Sequence, residues 1–266
     1  MSGAGFPPAL PGLTVLYADA ELVAVDKPAG LHTAPQGRAG EDTLLGRLLA
    51  AFPEVAALPG RKPDEPGLLH RLDRETSGIV LAARTPEAFR HLTKDFAAGR
   101  VRKEYLALCA PASRLQPGQS FAIESRFAPF GPGRRKVRVV PEGVPPAGTG
   151  PGSAGLRRGP ARRRASPESY RTEAVVEQAR PGLALVRARI LRGFRHQVRA
   201  HLGHLGLPIV GDELYGARLP PGADRRLYLH ACSVELAHPA SGATMRIQSP
   251  LPAAFAVCYG SKRGSE

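Results

Sequence analysis

His70-Arg71-Leu72-Asp73-Arg74-Glu75-Thr76-Ser77-Gly78, followed at once by Ile79-Val80-Leu81-Ala82-Ala83, decides how this chain is read. A mostly charged and polar stretch runs straight into five apolar residues, so a turn delivers the chain into a buried strand. One carboxylate, Asp73, lies between two arginines, Arg71 and Arg74, and an opposite charge nearby favours its ionised form. A fixed, ionised carboxylate is available as a nucleophile. Thr76 and Ser77 bring hydroxyls for local hydrogen bonds and Gly78 brings backbone freedom, so the segment is expected to be tight.

Upstream, residues 14–17 and 22–26 read as strands joined by a turn, and Lys27-Pro28-Ala29-Gly30 breaks the second. Thr43 is placed as an N-cap, with Leu44, Leu45, Leu48 and Leu49 at helical spacing and Pro53 as the stop. Residues 60–67 form a polar loop leading to His70. Downstream, Thr85-Pro86-Glu87 starts a helix whose buried face carries Phe89, Leu92 and Phe96 and which Gly99 ends. Residues 101–108 alternate as a strand with Tyr105 near its middle. Strands are expected at 136–140, 170–177, 183–191, 227–236 and 244–248, and a last helix from Pro252. A short helix over 196–205 turns Val198, Leu202 and Leu205 to one side and carries His196 and Arg199 on others. Many strands are joined by short turns and no Gly-rich dinucleotide fingerprint is present. The pattern therefore predicts an α+β fold with a mixed, largely antiparallel central sheet flanked by helices and loops.

The chain has 266 residues, enough to bury a substantial core, and carries a formal net charge of +14. A charge of that size attracts polyanions, of which nucleic acid is the commonest in a cell. Residues 1–13 are expected to be a flexible segment, 14–258 one catalytic domain and 259–266 a tail. Within the domain, residues 141–167 change to Pro, Gly, Ala and Arg, including Arg157, Arg158, Arg162, Arg163 and Arg164, and read as a basic insertion between two strands. The three cysteines stand far apart in apolar sequence, as reduced core residues do. With no signal peptide and no membrane span read, a cytoplasmic location is expected.

Several chemistries are excluded by what is missing. His70-Arg71-Leu72-Asp73 has the letters of a protein-kinase catalytic loop, without the Gly-rich phosphate loop, the strand lysine or the magnesium-binding Asp. A glycoside hydrolase needs two carboxylates across the bond, and Glu75 is too close in sequence to Asp73 to face it. His196, His201 and His204 lack an acidic or cysteine partner to complete a metal site and fit a helix face instead. No Gly-x-Ser-x-Gly elbow is present. A single Asp, a mid-strand Tyr and many arginines remain.

These residues carry a resemblance. His70 to Gly78 resembles the His-Arg-Leu-Asp-x-x-Thr-Ser-Gly signature of the RNA pseudouridine synthases that act on ribosomal large-subunit and transfer RNA. Leu22 to Gly30 resembles that family's first strand and Lys-Pro-x-Gly turn, Lys103-Glu104-Tyr105-Leu106-Ala107 its tyrosine strand, and His196 to Leu202 its arginine helix. Pro208-Ile209-Val210-Gly211-Asp212, Leu229-His230-Ala231 and His238-Pro239 follow in the family's order. The resemblance implies the pseudouridine synthase fold and isomerisation of uridine in a structured rRNA or tRNA stem-loop, with no cofactor and no metal. It implies Asp73 as nucleophile, Tyr105 against the target base, Arg199 paired with Asp73, and Arg71 in the space left by the flipped nucleotide. Arg74, Arg195 and the arginines of the insertion are RNA-contact candidates, and a monomer is expected.

Two departures stand out. Arg192-Gly193-Phe194-Arg195 replaces the family's common Thr-Gly-Arg-Thr, so a basic position becomes Phe194. With about a dozen residues ahead of the first strand, an S4-type RNA-binding domain is not expected there, and the Arg-rich insertion is expected to supply phosphate contacts in its place. The competing reading is an RNA-binding or RNA-folding protein on the same fold without turnover.

Overall fold

The computed structural model describes residues 10–37, 40–111, 113–141, 165–219 and 223–259. The chain opens with β1 (Thr14–Ala18) and β2 (Leu22–Lys27), folded back on each other where Asp19 Oδ1 accepts the N–H groups of Glu21 and Leu22. Helix α1 (Leu44–Ala51) begins where the Thr43 hydroxyl accepts the Gly46 N–H, and buries Leu44, Leu45 and Leu48. All seven residues of β3 (Ser77–Ala83) are buried. Helix α2 (Pro86–Ala98) starts at Thr85, whose hydroxyl accepts the Ala88 N–H, and stops at Gly99 in the left-handed conformation.

Seven more strands and a helix follow: β4 (Arg102–Cys109), β5 (Ser120–Phe130), β6 (Lys136–Pro141), β7 (Tyr170–Arg180), β8 (Leu183–Ile190), α3 (Gln197–His204), β9 (Leu229–Ala237) and β10 (Thr244–Gln248). Helix α4 (Ala253–Tyr259) ends the described chain. The ten strands form one sheet in the order β1-β2-β3-β9-β4-β8-β7-β5-β6, with β10 beside β9. Only the β3–β9 join is parallel, so the fold is α+β with a mixed, largely antiparallel sheet.

That parallel join fixes where the His70–Gly78 segment ends. Gly78 has φ +114° and lies against the Ala231 backbone, where a Cβ would collide. Beside it the Ser77 hydroxyl meets His230 Nδ1 at 3.0 Å and accepts from Arg226 at 2.7 Å. Strand β3 therefore begins two residues before the apolar run.

The main core gathers β2, β3, β4, β8 and β9 with α1, and a smaller cluster of Phe127, Val137 and Ala200 lies between the β5–β6 hairpin and α3. Strand β5 arises where the sequence analysis finds none. Phe121 and Ile123 alternate with exposed residues there, but Gly118 and Pro129 at its two ends mask the pattern. Leu10 is buried in the core and Pro11 O accepts from Arg47, so ordered contacts begin ahead of the first strand. Arg157, Arg158, Arg162, Arg163 and Arg164 lie outside the described residues. Among the described residues no helix is long and apolar enough to cross a membrane.

Candidate active site

Hydrogen bonds on both sides hold the loop that carries Asp73. Before it, the Thr33 hydroxyl donates to Leu72 O at 2.8 Å and accepts the Leu72 N–H at 3.2 Å. After it, Arg74 O accepts from the Gly30 N–H at 2.8 Å and from Lys27 Nζ at 3.0 Å, while Arg74 Nε donates to Gly30 O. Lys27 is fully buried and also donates to Pro28 O and Leu31 O, so its three protons tie the 28–31 turn to the Asp73 loop. Burial pulls its pKa down to about 7, against the opposing pull of Glu75 and Asp73. Behind the loop, His70 Nε2 accepts the Leu81 N–H and the ring stacks on Phe96. Burial lowers the His70 pKa to about 3, so this imidazole is a neutral brace.

The two arginines that flank Asp73 in sequence do not touch it. Arg71 pairs with the buried Glu65, and Arg74 serves the Gly30 carbonyl. The partner of Asp73 comes from 126 residues away: Arg199 Nη1 donates to Asp73 Oδ2 at 2.8 Å. The other edge of the same guanidinium is gripped by Asp212, with Nε to Oδ2 at 2.7 Å and Nη2 to Oδ1 at 2.8 Å. Asp212 Oδ1 also accepts the N–H groups of Leu214 and Tyr215, and the Tyr215 ring lies under the guanidinium at 5.6 Å. Burial works against the charges of Arg199 and Asp212. Their hydrogen bonds prevail and move the two pKa values apart, up for Arg199 and down for Asp212.

His196 caps α3 in the left-handed conformation, φ +56°, unusual for a residue with a Cβ. That turn brings its Nδ1 to 3.1 Å from Tyr215 Oη and its Nε2 to 3.8 Å from Asp73 Oδ1. Burial lowers its pKa, leaving a neutral ring beside the carboxylate. Tyr105, in mid-β4, is buried on the same wall as Asp73. Burial and then the Asp73 charge raise its pKa above the usual phenol range, so it stays a phenol and a proton donor.

A cleft of about 1130 Å³ collects these groups. Asp73, Tyr105, Arg199, Arg71, Arg74 and Arg195 all line it, so every described candidate from the sequence faces one space. Leu72, Val198, Ile190 and Leu229 supply apolar lining. Arg195 donates to Arg134 O at 2.7 Å and anchors the β5–β6 hairpin to the cleft rim. Phe194 stacks on Phe127 at 5.0 Å and 7°, so the residue that replaces a basic position packs the second core. Among the described residues no three or more His, Cys, Asp or Glu side chains gather as a metal site.

A family profile described as RNA pseudouridylate synthase matches residues 21–204. The chain belongs to this family. It is 32% identical to a ribosomal large subunit pseudouridine synthase D of Pseudomonas aeruginosa over 91% of this chain and 69% of that protein. It is 34% identical to the protein of the same name from Xanthomonas campestris pv. campestris over 90% of this chain and 66% of that protein. The chain thus spans about two thirds of the length of these curated relatives. The solved structure of human RNA pseudouridylate synthase domain containing 4 shares the fold, with TM-score 0.63 and 23% identity over 91% of this chain and 89% of that one.

In this pseudouridylate synthase, sequence reasoning left four residues without a role: Glu65, which lines the cleft, and Lys27, Asp212 and Tyr215, which brace the lining residues Arg74, Arg199 and His196 from behind. Each sits in a loop or at a strand end, where periodicity says nothing about side-chain contacts. The signal that existed was the placement of Lys27 and Asp212 within quoted family segments.

Proposed function

We propose that this chain isomerises uridine in RNA to pseudouridine, with Asp73 as the nucleophile. The N1–C1′ glycosidic bond breaks, the uracil turns, C5 bonds to C1′, and the C5 proton leaves while N1 gains one. The observation that carries the reading is the Asp73 carboxylate held by Arg199 at 2.8 Å, facing a cleft it shares with Tyr105. Such a carboxylate is oriented before substrate arrives, which removes reorganisation from the reaction step. Tyr105 packs against the target base and, as a phenol, offers it a hydrogen bond. Arg71 leaves Glu65 to fill the gap in the RNA stack, offsetting part of the unstacking cost of a few kcal/mol.

Large-subunit ribosomal RNA is the proposed substrate, because relatives that match nine-tenths of this chain carry that name. Arg74, Arg195 and the arginines at 157, 158 and 162–164 contact phosphates, and the enzyme works as a cytoplasmic monomer on a stem-loop. Deleting residues 145–166 then lowers the salt slope of RNA affinity by about one unit per lost phosphate contact. The test of the function is tritium release from RNA labelled at uracil C5. Release by the wild type, together with loss of specific pseudouridines from ribosomal RNA when the gene is removed, supports the reading. RNA binding without release supports the non-catalytic reading instead.

A further inference from the structure

Two lysines line the cleft, Lys62 and Lys103, and while Lys62 pairs with Glu65 at 3.3 Å, Lys103 stands apart from every carboxylate of the lining. It is 5% exposed, yet no described carboxylate pairs with it, and a second cation, Arg61, acts on it unfavourably. Its Nζ lies 5.0 Å from the Phe96 ring centroid, a contact that offsets part of the lost hydration. Burial lowers its pKa to about 8, and at neutral pH it remains mainly protonated. An ammonium left in a wall with no counter-ion is costly, and a site of this kind is completed by an anion from outside.

Two further observations say where that anion sits. Lys103 and Tyr105 are two residues apart on β4 and both line the cleft, so their side chains leave the same face of the strand about 6.7 Å apart. That is the scale on which a base is separated from the phosphate of its own nucleotide unit. Gly193 lies over the lysine, where an added Cβ would stand 3.4 Å from Nζ. Its φ lies outside the left-handed region, so backbone conformation does not call for glycine there. The missing side chain keeps the ammonium open to the cleft.

We propose that Lys103 anchors the RNA backbone phosphate beside the target uridine, setting the position of the base against Tyr105. This rests on the uridine reading, and it makes Lys103 a positioning residue. A purely structural lysine, packed on Phe96, would be replaceable by Met without electrostatic consequence.

The affinity of the full chain for tritiated ribosomal RNA, measured against KCl concentration, separates the two. Lys103→Met is expected to weaken binding about 5–10-fold at 0.1 M salt and to lower the log–log salt slope by about 0.7, the value for one phosphate on a single strand. Lys103→Arg is expected to restore the slope. A wild-type slope in folded Lys103→Met overturns the proposal. Should that variant not fold, Gly193→Ala decides, because it keeps the charge and sets a methyl against Nζ: several-fold weaker binding supports the anchor and unchanged binding overturns it. Tritium release is scored in parallel. A lowered slope without release by the wild type leaves the phosphate anchor standing and removes the isomerase reading, and release with an unchanged slope does the reverse.

Discussion

Two carboxylates lie on opposite sides of β4, Glu104 on the strand itself and Asp73 on the loop ahead of β3, and the two are treated in opposite ways. On the face away from the cleft, Glu104 is 5% exposed and surrounded by Arg246 at 3.0 Å, Arg187 and Arg189 at 3.3 Å, and Arg102 at 3.9 Å. Three of these arginines hold a second carboxylate as well, Glu235, Glu177 or Glu173. On the cleft face the ratio inverts, because one arginine serves two carboxylates. Asp212 is fully buried and takes one edge of Arg199 with two hydrogen bonds, while Asp73 keeps one bond and 24% exposure. A surplus of arginines consumes a carboxylate's lone pairs and makes it a fastener. A shared arginine orients a carboxylate and leaves Oδ1 facing the cleft.

Breaking the shared arginine has the largest expected effect. Arg199→Leu frees Asp73 and leaves Asp212 buried without its ion-pair partner, a cost of about 3–5 kcal/mol in stability, and tritium release falls about 10²-fold or more. Arg199→Lys keeps the charge without the fork, so thermal melting is expected to recover more than turnover does. Asp212→Asn removes one grip while sparing the Asp73 contact, and kcat is expected to fall about 10-fold with KM little changed. Equal kcat in that variant would show that the second carboxylate does not orient the first.

Acid separates the stability of the scaffold from the chemistry of either carboxylate. His70 is lowered to about 3, and His201 and His230 to about 4, all by burial. Their folded values lie below the unfolded one, so unfolding takes up protons at low pH. Stability is full above about pH 6.5 and is lost as pH falls towards 4, by about 1.4 kcal/mol per group and pH unit. Denaturant titrations at pH 7, 6 and 5 check the sign, and His201→Asn should flatten the slope.

The smallest effect belongs to the crowded face. Glu104→Gln keeps a hydrogen-bonding side chain among arginines that are themselves 31–44% exposed, so about 1–2 kcal/mol of stability is lost. Tritium release at a permissive temperature should stay within about twofold of wild type. A large loss of rate would mean that the two faces are coupled through β4.

The helices were legible because their end signals are local. Thr43, Thr85 and Gly99 act where their spacing to the apolar stripe put them. The strands around Asp73 and Tyr105 were legible from their apolar runs. Two errors share one cause. Arg71 and Arg74 neighbour Asp73 in sequence, but in an irregular loop adjacent side chains diverge, and they reach Glu65 and Gly30. The buried carboxylate of Asp212 looks in sequence like any loop acid, because its partner lies across a turn that no periodicity encodes. Glu104 gave no sign of its four arginines, which come from two other strands as well as its own.

Single-turnover tritium release by Asp73→Asn and Glu104→Gln, each at an RNA concentration that saturates binding, sets the two faces of β4 directly against each other. No release by Asp73→Asn beside near-wild-type release by Glu104→Gln is the expected result. Turnover by Asp73→Asn, or an equal loss in both variants, would contradict the assignment of the reaction to the carboxylate that Arg199 holds open.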